Sequence, residues 1–183
     1  SPQLMYFDRI KNEPDEPDRR SVRNDEPLIV KLHGSVNWRC STDEYKRIID
    51  PPSTAGDVYR IDRIWFSRSG SPSPLDDESP CIVPPMPEKP LTQIKLFRYL
   101  WTRACEYLHE AEEIVICGYS LPETDALAMS LFGNISNDRL QRVTVIDPNP
   151  AILARWRSLL IRRRVRRAEW RYHSDFCEYV DAM

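Results

Sequence analysis

Glycine is scarce in this chain, with five among 183 residues, and no G-x-G-x-x-G stretch occurs. That removes the glycine-rich pyrophosphate loop by which many dinucleotide folds announce themselves. Cysteine is present five times, at 40, 81, 105, 117 and 177, but never as C-x-x-C. Neither a zinc ribbon nor a disulfide framework is indicated, and a reducing cytoplasm is the expected setting. No apolar run reaches the ~18 residues of a membrane span, and the start has no signal-peptide pattern, so no membrane association is expected. Charge of one sign is missing too: 26 Lys and Arg against 28 Asp and Glu give a net charge of −2. That balance exerts no general pull on nucleic acid, which is an unexpected partner.

Proline, by contrast, is abundant, with sixteen residues, most of them bunched at 14–27, 51–52, 72–90 and 148–150. Long irregular connections are therefore expected between regular elements. Residues 1–27 are polar and proline-rich and read as a flexible segment with little to bury. Residues 28–183 read as one domain, with 40–90 as an irregular insert or small subdomain. Within it "YKRII" and "VYRIDRIWF" suit strands or helical pieces equally, and "CIVPP" suits a short strand. The chain opens on Ser1 rather than Met, and a fragment of a longer protein is expected.

Regular elements are clearest after Leu91. Ile94, Phe97, Leu100, Trp101, Ala104, Cys105 and Leu108 recur at spacings of three and four, which predicts one face of a helix. "EIVIC" and "RVTVID" predict buried strands, each followed by a turn and a helix, and "EWRYH" predicts another short strand. Thr124 or Asp125 is placed to cap "ALAMSLF", Pro150 suits the first turn of "AILARWRSLLIRR", and Ser174 is placed to cap "DFCEYVDAM". "PLIVKLHG" predicts an earlier strand ended by Gly34. Strand, crossover helix and strand in alternation predict an α/β fold: a three-layer, Rossmann-like parallel sheet with ligand chemistry at the carboxyl ends of its strands.

Three stretches fall at such ends. In "CGYSLPETD" Gly118 allows a sharp turn and Ser120 adds a hydroxyl, which suits a phosphate or ribose oxygen; an ordinary strand-to-helix turn suits the same residues. In "VIDPNP" Asp147 can accept ribose hydroxyls and Asn149 can assist, or both can bond their own backbone in an Asx turn. His33 has the pKa range of a general base, or is a half-buried histidine bonded to a carbonyl. His109 and His173 read as structural, and no ligand spacing supports a metal. "RRRVRR" at 162–167, with Arg155, Arg157 and Arg171, reads as cations balancing a helix C-terminus on a solvated face, with a contact for nucleic acid or an acidic partner as the alternative.

Taken in order, these stretches resemble the second half of a sirtuin-like domain, closest to the zinc-less prokaryotic branch of NAD-consuming and antiphage defence proteins. "KLHGSVNW" resembles its motif with the catalytic histidine, "IVPPMPEKP" with the helix and "VICGYSLPETD" its middle segment, "VTVIDPNP" its next strand, and "DFCEYV" its closing helix. The resemblance covers residues 28–182. It implies NAD as substrate, cleavage of the nicotinamide–ribose bond as in an NADase, and His33 as general base. It implies cofactor contacts at Gly34, Gly118, Tyr119 and Ser120, the adenosine ribose at Asp147 and Asn149, and adenine beside Cys177. With water as acceptor the activity is that of an NAD hydrolase; a protein deacylase or ADP-ribosyltransferase is a further alternative. The paired cysteines of deacylating sirtuins are missing, since Cys40 is followed next by Cys81. The family's first βαβ unit has no counterpart either, so a non-catalytic NAD- or ADP-ribose-sensing or protein-interaction module is the rival expectation. A homo-oligomer or fused partner domains would fit either.

Overall fold

The computed structural model describes residues 29–49, 65–66, 77–83, 94–135, 138–161 and 165–183. The expected flexible segment at 1–27, most of the 40–90 insert and "PPMPEKP" lie outside the described residues.

Strand β1 spans Gly34–Ser41 and passes directly into helix α1, Thr42–Ile49. "STDE" at 41–44 makes that junction. The Glu44 amide donates to Ser41 Oγ (3.2 Å), and Glu44 Oε2 accepts from the Ser41 amide (3.1 Å), a reciprocal capping box. Strands β2, Trp65–Phe66, and β3, Glu78–Ile82, flank β1 on either side, both antiparallel to it. "YKRII" is thus helical, and "CIVPP" contributes Cys81 and Ile82 to a strand.

Helix α2, Lys95–Glu110, then leads into a second sheet. Its strands are β4, Glu113–Cys117; β5, Arg142–Ile146; and β6, Glu169–His173, all parallel in the order β4-β5-β6. Helix α3, Ala126–Gly133, connects β4 to β5. Helix α4, Ala151–Ile161, connects β5 to β6 by way of a short 3-10 turn at Val165–Arg167, and α5, Phe176–Asp181, follows β6. β5 is central, and Val143, Thr144, Val145 and Ile146 are all buried, as in a parallel strand covered on both faces.

Among the described residues the six strands therefore form two separate three-stranded sheets, one antiparallel and one parallel. This corrects the expectation of a single Rossmann-like sheet short of its first βαβ unit, and with it the sirtuin-like resemblance and the NADase reading drawn from it. The physical reason lies at Gly34. The predicted strand "PLIVKLHG" is not one: Ile29–His33 lie outside any strand, and Gly34 begins β1 rather than ending a strand before it. Gly34 has φ +83°, and a Cβ there would lie 2.1 Å from the Cys81 carbonyl oxygen. The backbone of β1 thus lies tight against β3, and its ladder is filled by antiparallel neighbours. A short apolar run carries no information about which strand will pair with it.

Two cores result. One gathers Trp38, Cys40, Ile48, Cys81, Ile94, Phe97 and Leu100 between the antiparallel sheet and the first half of α2. The other gathers Ile114, Ile116, Val143, Val145, Ile152, Trp156 and Leu160 between the parallel sheet and α4. Leu108 near the end of α2 reaches the second core, and Leu127 of α3 reaches the first.

Candidate functional site

The parallel register aligns Cys117, Ile146 and His173 as the last row of β4, β5 and β6, so the three following loops leave the sheet side by side. Backbone bonds carry the ladder one step further: the Gly118 amide donates to Ile146 O (3.0 Å) and the Asp147 amide to His173 O (3.1 Å). Gly118–Ser120, Asp147–Asn149 and Ser174–Cys177 thereby line one edge, the carboxyl edge where ligands of parallel α/β sheets bind.

The loop after β4 is held from several sides. Gly118 adopts φ +63°, and a Cβ built there would meet no atom within 4 Å, so space lies open in front of its backbone. Tyr119 donates its hydroxyl to Asp125 Oδ2 (2.9 Å), and its ring packs against Phe132 and Trp156. Burial first, and then the bond to Asp125, push its phenol above the ordinary range, so at neutral pH it is a fixed neutral donor. Trp156 Nε1 donates to Tyr119 O (3.2 Å), and Arg155 Nη1 to Ser120 O (3.1 Å). The next residue, Leu121, is buried with φ +54°, a left-handed conformation that costs a side-chain-bearing residue about 1–3 kcal/mol and that the surrounding bonds must hold. Tyr119 is thus an anchor, whereas Ser120 is exposed.

After β5, Asp147 Oδ1 accepts the Asn149 amide (2.8 Å), and Asn149 Oδ1 accepts the Ala151 amide (3.1 Å), capping α4. Both residues therefore make the Asx-type turn weighed against ribose binding. Tyr172 donates its hydroxyl to Asp147 O (2.8 Å), tying β6 to this turn. Asp147 Oδ2 has no partner among the described residues.

After β6, α5 begins with its own reciprocal cap. Asp175 accepts the Glu178 amide (2.9 Å), and Glu178 accepts from the amide and hydroxyl of Ser174 (2.7 and 2.9 Å). The backbone amide of Glu178 is the main reason the Asp175 carboxyl is held below its ordinary range, and that of Ser174 does the same for Glu178. Cys177 is exposed on this helix.

His33 and Gly34 are not on these three loops. His33 lies in the turn before β1, edge-on to the Trp101 ring at 5.7 Å between centroids, and its carbonyl accepts the Val83 amide (2.8 Å). Trp101 Nε1 bonds the neighbouring Leu32 carbonyl (2.9 Å). The expected set is thus divided: Gly118, Tyr119, Ser120, Asp147, Asn149 and Cys177 follow the strands of the parallel sheet, whereas Gly34 begins β1 of the antiparallel sheet and His33 stands in the turn before it.

Sequence reasoning missed Arg155, which it had grouped with a solvated basic zone. Three arginines grouped there have different partners. Arg157 lies over the Trp170 ring at 5.5 Å, Arg171 pairs with Glu169 at 2.9 Å, and Arg155 turns to the β4 loop; residues 162–164 lie outside the described residues. Nothing in the local sequence distinguished Arg155 from its neighbours, because its partner is 35 residues away. Among the described residues no group of three His, Cys, Asp or Glu is arranged to hold a metal ion, and no helix is long and apolar enough to cross a membrane.

Comparison of the chain with protein-family models, curated proteins and solved structures finds no match to any of them.

Proposed function

We propose that the carboxyl edge of the β4-β5-β6 sheet binds the adenosine-diphosphate portion of a nucleotide such as NAD or ADP-ribose, as a non-catalytic sensing or interaction module. The observation that carries this reading is the alignment of three loops at one end of a parallel sheet. They bring together an open glycine turn, an exposed serine and an aspartate with an unengaged carboxylate oxygen. In this reading Gly118 and Ser120 face the phosphates, Asp147 Oδ2 accepts a ribose hydroxyl, and Cys177 borders the base. No cleavage step is included, because His33, the only general base suggested for one, stands ahead of the antiparallel sheet. The module is proposed to work in the cytoplasm, a compartment that suits its five free thiols.

Calorimetric titration with ADP-ribose and NAD tests the reading. Saturable binding of both is expected, with no nicotinamide released from NAD. Asp147→Asn keeps the Oδ1 acceptor of the turn but removes the charge, and should weaken ADP-ribose about tenfold, the ~1.5 kcal/mol of one hydrogen bond to a charged group. No heat of binding at millimolar nucleotide, or an affinity indifferent to Asp147→Asn, would count against it.

A further inference from the structure

The geometry points to Arg155 as the residue that selects for a phosphorylated ligand at this edge, through its guanidinium and the pyrophosphate of a nucleoside diphosphate. The inference rests on the nucleotide reading given above and adds to it the residue that discriminates between ligands.

Arg155 and Trp156 are consecutive on α4, and they hold consecutive carbonyls of the loop after β4. Trp156, fully buried, fixes Tyr119 O, while Arg155, on the exposed side of the same turn, fixes Ser120 O. One N–H of the guanidinium is used in this way. The rest of its donors and its whole charge remain, because Arg155 has no carboxylate partner among the described residues, unlike Arg142 and Arg171, which pair with Glu113 and Glu169. A long exposed side chain normally samples many rotamers, and ordering it costs up to ~2 kcal/mol. Here the bond to Ser120 O meets part of that cost before any ligand arrives. The result is an oriented cation two residues from the open turn at Gly118.

Phosphate is the chemistry that matches such a group. Guanidinium donors are planar and forked, and bonds to phosphate oxygens are roughly twice as strong as neutral ones. The neighbouring helix start offers an anion much less. The Asn149 side chain takes the Ala151 amide, and the Ile152 and Leu153 amides donate to Asn149 O and Pro150 O. Charge selectivity therefore falls to Arg155 rather than to the amides of α4.

The test is calorimetry of the full chain with adenosine, AMP and ADP, for the unaltered protein, Arg155→Ala and Arg155→Lys, at two salt concentrations. ADP should bind the unaltered protein about tenfold or more tightly than adenosine. Arg155→Ala should bring ADP down to the affinity of adenosine, leave adenosine unchanged and flatten the salt dependence, and Arg155→Lys should restore part of the difference. If adenosine binds and Arg155→Ala leaves ADP affinity intact, the role of Arg155 is refuted and the nucleotide reading survives. An equal loss for adenosine and ADP would make Arg155 a mere brace for the loop and would also refute it. If none of the three ligands binds the unaltered protein, both conclusions fall together.

Discussion

Gly34 sits with φ +83° so close to β3 that any side chain would be driven into the Cys81 carbonyl, 2.1 Å from the position of its Cβ. Its neighbour His33 is held by a backbone bond to Val83 and by the Trp101 ring. Glycine at position 34 is therefore a packing requirement of the antiparallel sheet. Gly34→Ala combines backbone strain with a clash against backbone rather than against a flexible side chain, and should cost at least ~3 kcal/mol of stability. Urea unfolding checks this. A loss below about 1 kcal/mol would show that β1 and β3 separate easily and that the constraint at Gly34 is weak. The other two glycine- or acid-bearing turns differ from it. Gly118 has open space before it, and Asp147 retains one carboxylate oxygen with no partner among the described residues.

Elements were legible in proportion to how locally they are determined. The three- and four-residue spacing after Leu91 predicted α2, and the apolar runs predicted β4 and β5, because burial of one face or of a whole strand leaves a pattern in the chain itself. Helix α1 was unread although "STDE" carries the S-x-x-E signature whose two bonds form at Ser41 and Glu44. The caps show a subtler limit. Asp125 stands at the start of α3, yet its carboxylate takes the Tyr119 hydroxyl instead of a helix amide. At α5 the cap is Asp175, one residue after the Ser174 expected from sequence. Which acceptor serves which donor is settled by what folds alongside. The α5 cap has a pH signature. Both carboxyls titrate lower in the folded chain than when unfolded, so their contribution is present above the ordinary carboxylate range and is lost as pH falls through the folded values. Acidification below about pH 4 should lower the protection factor of the Glu178 amide, measured by NMR against the intrinsic exchange rate at the same pH, while β5 amides stay protected. Asp175→Ala should give the same fraying already at pH 7, and protection that ignores both changes would contradict the cap.

At the scale of the whole molecule, the partition into two sheets was not legible, because a strand's choice of partner depends on contacts distant in sequence. β1 meets β3 about forty residues on, with a shift in register between Gly34 and Arg39 that no periodicity announces. Separate sheets do not imply separate folding units. Phe97 and Leu100 of α2 are buried in the first core while Leu108, two turns on, packs against the second. α3 repeats the arrangement, with Leu127 against the first core and Met129 and Phe132 against the second. Each core therefore supports helices that the other needs, and opening one exposes apolar surface of both. The expected outcome is a single cooperative transition. With fluorine-labelled tryptophan, the resonances of Trp38 in the first core and Trp156 in the second should lose native intensity at the same urea concentration. Leu100→Ala, a cavity of the kind that costs ~2–5 kcal/mol, should shift both midpoints together even though Leu100 touches only the first core. If the Trp38 signal moves and the Trp156 signal stays, the helices do not couple the cores, and the parallel sheet would then be stable without the antiparallel one.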